Sequence, residues 1–246
     1  MGTHAWAVVV AGGEGRRFGK AKQFEPLGGR LVVEWAIAAA REVADEVVLV
    51  LPPSALEDPA RRSGCAHVAA GGATRAASVR AGLALVPESV PYVLVHDAAR
   101  PLASPALFAA VLEAVRAGAD GAVPGVPVAD TVKRVRDGRV VETPPRAELV
   151  AVQTPQAFRA GVLRRAHAGG LEATDDAGLL EAIGAHVAVV PGEARNVKIT
   201  ELDDLARLAQ WAAEHDAPPG AIPSSAIPPG AIPSGIVRSG AQRSAP

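Results

Sequence analysis

Short apolar runs alternate along this chain with longer, alanine-rich amphipathic stretches. The apolar runs are typical of strands buried on both faces of a parallel sheet, and the longer stretches have helical periodicity. The pattern predicts strands at residues 5–10, 46–51, 66–70, 92–95, 121–123 and 186–190. It predicts helices at residues 31–43, 74–86, 104–117, 160–168, 176–183 and 201–215. This alternation favours an α/β fold with a mainly parallel, doubly wound sheet.

One segment breaks this alternation. Residues 131–136 and 139–143 flank Asp137-Gly138, a dipeptide that favours the tight turn of a β-hairpin. The hairpin carries several basic residues and no continuous apolar face, so it is either an exposed arm or packs on a partner subunit. An ordinary solvated hairpin explains the composition equally well.

The composition changes sharply after residue 216. Residues 217–246 are rich in Pro, Ala, Gly and Ser, and the heptapeptide at 218–224 recurs unchanged at 228–234. Neither a helical nor a strand period survives there, which is typical of a disordered segment. We therefore expect one domain over residues 1–216, with a hairpin arm at about 128–147, followed by a disordered tail.

Bulk properties narrow the class of protein. The 246 residues are 49% hydrophobic and carry a net charge of −1, so a full core is possible and a polyelectrolyte partner such as nucleic acid is not expected. Cys65 is the only cysteine, which excludes an intrachain disulfide and a Cys-rich zinc site. No signal segment or apolar run of bilayer length is present, so we expect a soluble, cytoplasmic protein without a membrane partner.

The first candidate site is a basic glycine loop that follows the first predicted strand. Within residues 11–23 lie the glycines Gly12, Gly13 and Gly15 and the cations Arg16, Arg17, Lys20 and Lys22. Glycine backbone can close around an anion, and Arg and Lys add charge and donors for phosphate oxygens. The segment is neither a Walker A loop nor a dinucleotide fingerprint. It indicates a nucleoside triphosphate site of another type, with a solvated turn as the alternative.

A second candidate site lies at the end of a later strand. Asp97 and Arg100 follow the apolar run at 92–95, where ligands of open α/β sheets bind. Asp97 there can hold a metal ion or a substrate hydroxyl, and Arg100 can bind phosphate. A structural pair that shapes the turn before Pro101 is an equally good interpretation, and His96 fits a packing role better than that of a base.

Further polar segments stand beside predicted elements. Gly72 and Ser78 belong to a strand–glycine–helix segment that suits a base or ribose, with helix capping by Thr74 as the alternative. The acids near Thr174 suit a helix start. Lys198 alternates with apolar residues and can point inward to an anion or outward to solvent.

Taken together, these motifs resemble a known family. The glycine loop is followed in order by HDAARP (96–101), QTPQAF (153–158), TDD (174–176) and NVKIT (196–200). This set is similar to that of 2-C-methyl-D-erythritol 4-phosphate cytidylyltransferases, the CTP-dependent enzymes of the non-mevalonate isoprenoid pathway. The resemblance covers roughly residues 5–210, and HDAARP and QTPQAF are its most specific parts.

The resemblance implies a Rossmann-like nucleotidyltransferase fold and a homodimer in which hairpin arms complete each other's pockets. It implies that CTP and a polyol phosphate are the substrates, and that Mg²⁺ is held mainly by the CTP phosphates rather than by protein ligands. The implied catalytic residues are Arg17, Lys22, Arg146 and Lys198. The implied CTP site comprises Ala11, Gly12, Gly13, Gly15, Gly72, Ser78 and Asp97. The implied acceptor site comprises Asp97, Arg100, Thr131, Arg146, Thr154, Thr174 and Lys198.

Three alternatives remain open from the sequence. The acceptor can be another polyol phosphate, such as ribitol 5-phosphate. A guanylyltransferase acting on molybdopterin also has a glycine-rich loop with Arg, although HDAARP and QTPQAF speak against it. An inactive nucleotide-binding module is the alternative from another class of protein.

Overall fold

In a computed structural model, the chain is described over residues 4–13 and 21–215. Part of the basic loop, including Gly15 and Arg17, and the segment 217–246 lie outside the described residues. The described strands are β1 (Ala5–Val10), β2 (Pro26–Leu27), β3 (Arg30–Leu31), β4 (Glu46–Leu51), β5 (His67–Ala70), β6 (Tyr92–Asp97), β7 (Gly121–Pro127), β8 (Arg134–Arg136), β9 (Arg139–Glu142), β10 (Val150–Val152), β11 (Gln156–Arg159) and β12 (Val187–Pro191). The described α-helices are α1 (Val32–Arg41), α2 (Arg75–Leu83), α3 (Pro105–Arg116), α4 (Ala160–Ala168), α5 (Asp176–Ala182) and α6 (Leu202–His215).

The centre of the main sheet is parallel, which confirms the predicted fold class. Strand β1 lies between β4 and β6 and is parallel to both, and β5 extends the sheet beyond β4. All four strands therefore end at the same edge of the sheet. On the other side, β12 pairs in parallel with β7.

Two antiparallel strands interrupt this pattern and were not predicted. β11 lies between β6 and β7, antiparallel to both, and β10 pairs antiparallel with the far end of β7. Our interpretation of residues 153–158 as a polar loop was therefore wrong for its second half. Gln156 and Arg159 give β11 no apolar alternation, and the strand is stabilised by pairing with neighbours on both sides, which no local pattern reveals.

Side-chain caps fix where several helices begin. The Ser104 hydroxyl accepts a hydrogen bond from the amide of Leu107, with Pro105 at the first helical position, as the sequence predicts. Asp175 caps α5 in the same way through the amide of Gly178. Among the helices of the described residues, none is long and apolar enough to cross a bilayer.

Helices cover both faces of the sheet and form two apolar layers. On one face Val9 and Leu49 pack with α1 and α3, which contribute Ile37 and Phe108. On the other face Val8, Val50 and Val95 pack with Val79, Leu163 and Leu180 of α2, α4 and α5. Because both faces are buried, the central strands carry the continuous apolar runs from which they were predicted.

The packing of α2 on the sheet yields a first prediction. A Cβ at Gly82 would lie 2.5 Å from Cγ1 of Val8 and 2.9 Å from Cγ2 of Val50, both in the sheet. Gly82→Ala should therefore lower the free energy of unfolding by about 1–3 kcal/mol, measured by urea denaturation, because the helix must move away from the strands.

A glycine in another helix provides the matched control. A Cβ at Gly161 in α4 would meet nothing within 4 Å, so Gly161→Ala should raise stability by about 0.5–1 kcal/mol through helix propensity. Equal effects of the two substitutions would contradict the close contact assigned to Gly82.

Candidate active site

A pocket of about 660 Å³ opens at the carboxyl edge of the sheet, beyond the ends of β1, β4, β5 and β6. Its volume is typical of small-molecule sites, and its position is the one at which open α/β sheets bind ligands. The pocket brings together eight residues that the sequence singled out: Ala11, Gly12, Gly13, Lys22, Gly72, Ser78, Asp97 and Lys198.

The start of the glycine loop is held by a buried glutamine. The Nε2 group of Gln23 donates to the carbonyl oxygen of Ala11 at 2.8 Å and to that of Gly13 at 3.0 Å. The Gln23 side chain thus folds the chain back on the end of β1. This leaves the backbone of residues 11–13 along the pocket wall.

The loops after β1 and β5 approach each other closely, and their contact leaves little room for a Cβ. A Cβ at Gly12 would lie 3.1 Å from Oγ of Ser78, and one at Gly71 would lie 3.2 Å from Cα of Gly12. The Ser78 hydroxyl accepts from the amide of Gly72 at 3.1 Å and donates to the carbonyl of Thr74 at 3.0 Å. Ser78 therefore holds the loop between β5 and α2 in place through Gly72. Thr74 also caps the start of α2.

Asp97, at the end of β6, is held between two cations. Its Oδ1 accepts from Nε of Arg75 at 3.0 Å, and its Oδ2 accepts from Nζ of Lys198 at 2.6 Å. Burial alone would raise the pKa of Asp97, but the charges of Arg75 and Lys198 outweigh it and hold the pKa well below its usual range. The carboxylate is therefore ionised and bridges α2 to the segment before α6.

Arg75 continues this network into the protein. Its Nη1 donates to Oδ2 of Asp176 at 2.7 Å, and Oδ1 of Asp176 lies 2.9 Å from Nε2 of His167. Burial alone would lower the pKa of Arg75, but its two carboxylate partners raise the pKa above the ordinary value. The sequence placed Asp176 in the TDD motif at a helix start and gave His167 no role, because 101 residues separate Asp176 from Arg75 and no local pattern reveals their contact.

Lys22 reaches the same wall of the pocket as Lys198. Its Nζ donates to the carbonyl oxygen of Ile199, the residue after Lys198. Among the described residues that line the pocket, the cations Lys22, Arg75 and Lys198 face one carboxylate, that of Asp97. The pocket is therefore cationic and suits a phosphorylated ligand.

A buried hydrogen-bond chain supports Asp97 from beneath. The amide of Asp97 donates to Oγ1 of Thr154 at 3.0 Å, and that hydroxyl lies 3.1 Å from Nδ1 of His96. Nε2 of His96 lies 3.1 Å from the carbonyl of Arg100, so it carries the proton and Nδ1 accepts from Thr154. Thr154 is thus buried below the pocket rather than on its wall.

Arg100 also binds the protein backbone rather than pointing into the pocket. Its Nη1 donates to the carbonyl of Asn196 at 2.8 Å, and burial lowers the pKa of the guanidinium more than Asp97 raises it. Asn196 in turn donates to the carbonyl of Thr154 at 2.9 Å. The motifs HDAARP, QTPQAF and NVKIT therefore meet in one hydrogen-bonded layer, and Arg100 is not among the described lining residues.

Three further candidate site residues do not line the pocket. Thr131 and Arg146 are exposed near the hairpin β8–β9, where Nη1 of Arg146 donates to the carbonyl of Ala129 at 2.8 Å. Thr174 is exposed before α5. Within residues 4–13 and 21–215, none of the three lines the pocket. Arg17 and Gly15 lie outside the described residues, so their predicted roles stay predictions.

A parallel α/β sheet with a glycine-lined, cationic pocket at its carboxyl edge defines a Rossmann-like domain of the nucleotidyltransferase type. A family model described as "IspD: 2-C-methyl-D-erythritol 4-phosphate cytidylyltransferase" matches residues 5–213. The chain belongs to this family, as its motifs predicted.

Individual relatives agree with this assignment. The 2-C-methyl-D-erythritol 4-phosphate cytidylyltransferase of Nocardia farcinica is 46% identical over 214 residues, which are 83% of this chain and 91% of that protein. The solved structure of the Thermus thermophilus protein of the same name is 42% identical, with a TM-score of 0.72 over 83% of this chain and 97% of that one. A bifunctional IspD/IspF enzyme of Nitratidesulfovibrio vulgaris is 45% identical over 227 residues, and this chain spans 57% of its length.

His96 yields a prediction about the pH dependence of stability. Burial lowers the pKa of His96 to about 4, whereas an unfolded histidine titrates near 6.5. The unfolded state therefore binds the proton first as the pH falls, so the contribution is complete above pH 6.5 and is lost towards pH 4. Between pH 7 and pH 5 this should cost about 2 kcal/mol of unfolding free energy, measured by urea denaturation.

His96→Gln should reduce this loss, since glutamine does not titrate. In the parent protein, the ¹⁵N shifts of the His96 ring should still report a neutral imidazole at pH 5. A charged ring at pH 5 would show that His96 is not buried as described.

Proposed function

We propose that this chain transfers a cytidylyl group from CTP to 2-C-methyl-D-erythritol 4-phosphate, releasing pyrophosphate. Family membership and the names of the full-length relatives support this activity. The structural observation that carries it is the pocket that Lys22 and Lys198 line together with the glycines Gly12, Gly13, Gly71 and Gly72. Cations and glycine backbone in one pocket suit a nucleotide whose phosphates lie against the lysines.

The chemistry is an in-line displacement at the α-phosphorus of CTP. An oxygen of the acceptor phosphate forms the new P–O bond, and the bond from the α-phosphorus to the β-phosphate oxygen breaks as pyrophosphate leaves. A phosphate monoester is already a nucleophile, so this step needs no general base. Catalysis then consists of positioning and of stabilising the negative charge that develops on the transferring and leaving groups.

Different residues of the pocket serve the triphosphate, the acceptor and the nucleoside. Lys22 stabilises the charge of the triphosphate, together with Arg17 from the part of the loop outside the described residues. Lys198 and Asp97 orient the acceptor, since Asp97 holds the ammonium group of Lys198 at the pocket wall. Gly12, Gly72 and Ser78 form the wall for the nucleoside.

Mg²⁺ is part of the proposal, bound mainly through the phosphates of CTP. Asp97 is the one carboxylate among the described lining residues, and both of its oxygens accept from cations. The described part of the pocket could therefore supply at most one carboxylate ligand to the ion. When bound, the ion would neutralise charge on the triphosphate oxygens. No group of three or more metal-ligating side chains occurs within the described part of the chain.

A homodimer is proposed from the hairpin arm. Val135 of β8 and Val140 of β9 are paired and each more than half exposed, which leaves an apolar pair on one face of the arm for a second copy to cover. Thr131 and Arg146 lie at the base of this arm and away from the pocket of their own chain. They would complete the acceptor site of the partner subunit. We retain the cytoplasm as the proposed location, because both substrates are phosphorylated metabolites.

The proposed function is tested by pyrophosphate release from CTP, UTP, GTP and ATP, each with methylerythritol phosphate and with ribitol 5-phosphate. Rapid release with CTP and methylerythritol phosphate alone is expected. Preference for ribitol 5-phosphate would reassign the acceptor, preference for GTP would reassign the nucleotide, and tight CTP binding without turnover would indicate a binding module.

The role of Lys22 yields a prediction about kinetic constants. Lys22→Ala should lower kcat by about 10²–10³-fold with little change in the KM for CTP, because the lost charge acts mainly on the transition state. Lys133→Ala on the arm is the matched control and should match the parent. A Lys22→Ala enzyme with the parent kcat at saturating substrate would remove this role.

The role of the arm yields a prediction about subunit exchange. Arg146→Ala should raise the KM for methylerythritol phosphate more than that for CTP. If arms act on partner pockets, a heterodimer of Arg146→Ala and Lys22→Ala chains contains one intact site and should regain activity. An inactive heterodimer, shown to have formed by tagged purification, would mean that each arm serves its own chain.

A further inference from the structure

We propose that His167, which lies outside the pocket, is a positioning residue that acts on the site through Asp176 and Arg75. The kinetic test of this inference rests on the proposed function, whereas the contacts from which it is drawn do not. Four contacts of 2.6–3.0 Å connect His167, Asp176, Arg75, Asp97 and Lys198 in that order. Each carboxylate in this network uses one oxygen for each of its two partners.

The network runs from the partly exposed Lys198 at the pocket to a fully buried inner end. The side chain of Lys198 is 41% exposed, whereas those of Asp176 and His167 are 1% and 3% exposed. Helices α4 and α5, which carry His167 and Asp176, contribute no residue to the pocket wall among the described residues. The network is therefore a direct contact between these two helices and the site.

Asp176 determines the orientation of Arg75. A guanidinium group is planar, so the contacts of Nη1 with Asp176 and of Nε with Asp97 together fix its plane. Nη2 of Arg75 is buried and has no hydrogen-bond partner among the described residues. Without Asp176, Arg75 would be held by Asp97 alone and could rotate about that single contact.

His167 holds Asp176 in place as a partner of Arg75. A buried carboxylate is strongly destabilised unless its oxygens accept hydrogen bonds, and Nε2 of His167 is the partner of Oδ1. Nδ1 of His167 is buried without a hydrogen-bond partner among the described residues. One donor, at the Nε2 position, is thus what this contact requires from residue 167.

That requirement suggests a conservative and a disruptive variant. The Nε2 atom of glutamine is the same number of bonds from Cα as that of histidine, so His167→Gln retains a donor for Asp176. His167→Leu fills a similar volume and removes the donor. A purely structural role in packing would not distinguish the two variants by their kinetic constants.

The test compares kcat/KM for methylerythritol phosphate at saturating CTP, at a temperature where every variant is folded. His167→Leu should lower it by about tenfold, equivalent to about 1.4 kcal/mol, and His167→Gln should stay within about twofold of the parent. The matched control is Arg164→Gln on the same helix, because Arg164 donates to the carbonyls of Leu83 and Val86 and not to the network. It should lower the Tm and leave kcat/KM within about twofold.

Two results would overturn the proposal: a His167→Leu enzyme with the parent kcat/KM, or an Arg164→Gln control that loses as much. If the parent itself shows no cytidylyl transfer, the proposed function fails and a second measurement decides this inference. Limited acetylation, read by mass spectrometry, should then label Lys198 about threefold or more faster in His167→Leu than in His167→Gln, relative to Lys133. Equal rates would reject the network.

Discussion

The ionised carboxylate of Asp97 is the constraint on which the rest of the site depends. A carboxylate at this depth is stable only with cationic partners, and Arg75 and Lys198 supply them from two other parts of the chain. The start of α2 and the segment before α6 are therefore fixed relative to the end of β6. Loss of either partner would leave the buried carboxylate with a single cation, so these segments are coupled.

A second constraint is the close contact between backbone segments at the pocket floor. Gly12 and Gly71 approach so closely that a Cβ on either would meet neighbouring atoms at 3.1–3.2 Å, which is tighter than ordinary van der Waals contact. Gln23 and Ser78 fill the hydrogen-bonding needs that water would otherwise meet there. The glycines thus allow the two loops to pack closely, and at this part of the pocket wall they present backbone rather than side chains.

The sequence predicted those elements that are determined by the pattern of neighbouring residues. The parallel strands carry continuous apolar runs because both of their faces are buried. Asp97 and Gly72, which the sequence singled out near strand ends, line the same pocket. Strand β11 could not be found, because its stability comes from pairing with β6 and β7. The contact of Asp176 with Arg75 was invisible for the same reason, since only the tertiary fold brings α5 to α2.

The hairpin arm is the part of the chain on which the proposed dimer rests. Strands β8 and β9 pair only with each other among the described residues, and an isolated two-stranded hairpin is marginal in water. Its valines are each more than half exposed, so burial against another surface would stabilise the arm. The predicted acceptor-binding residues Thr131 and Arg146 lie at the base of this segment, away from the Asp97 pocket. In the proposed dimer, one docking event would both stabilise the arm and bring Thr131 and Arg146 to the acceptor site of the partner subunit, so the dimer and that site would assemble together.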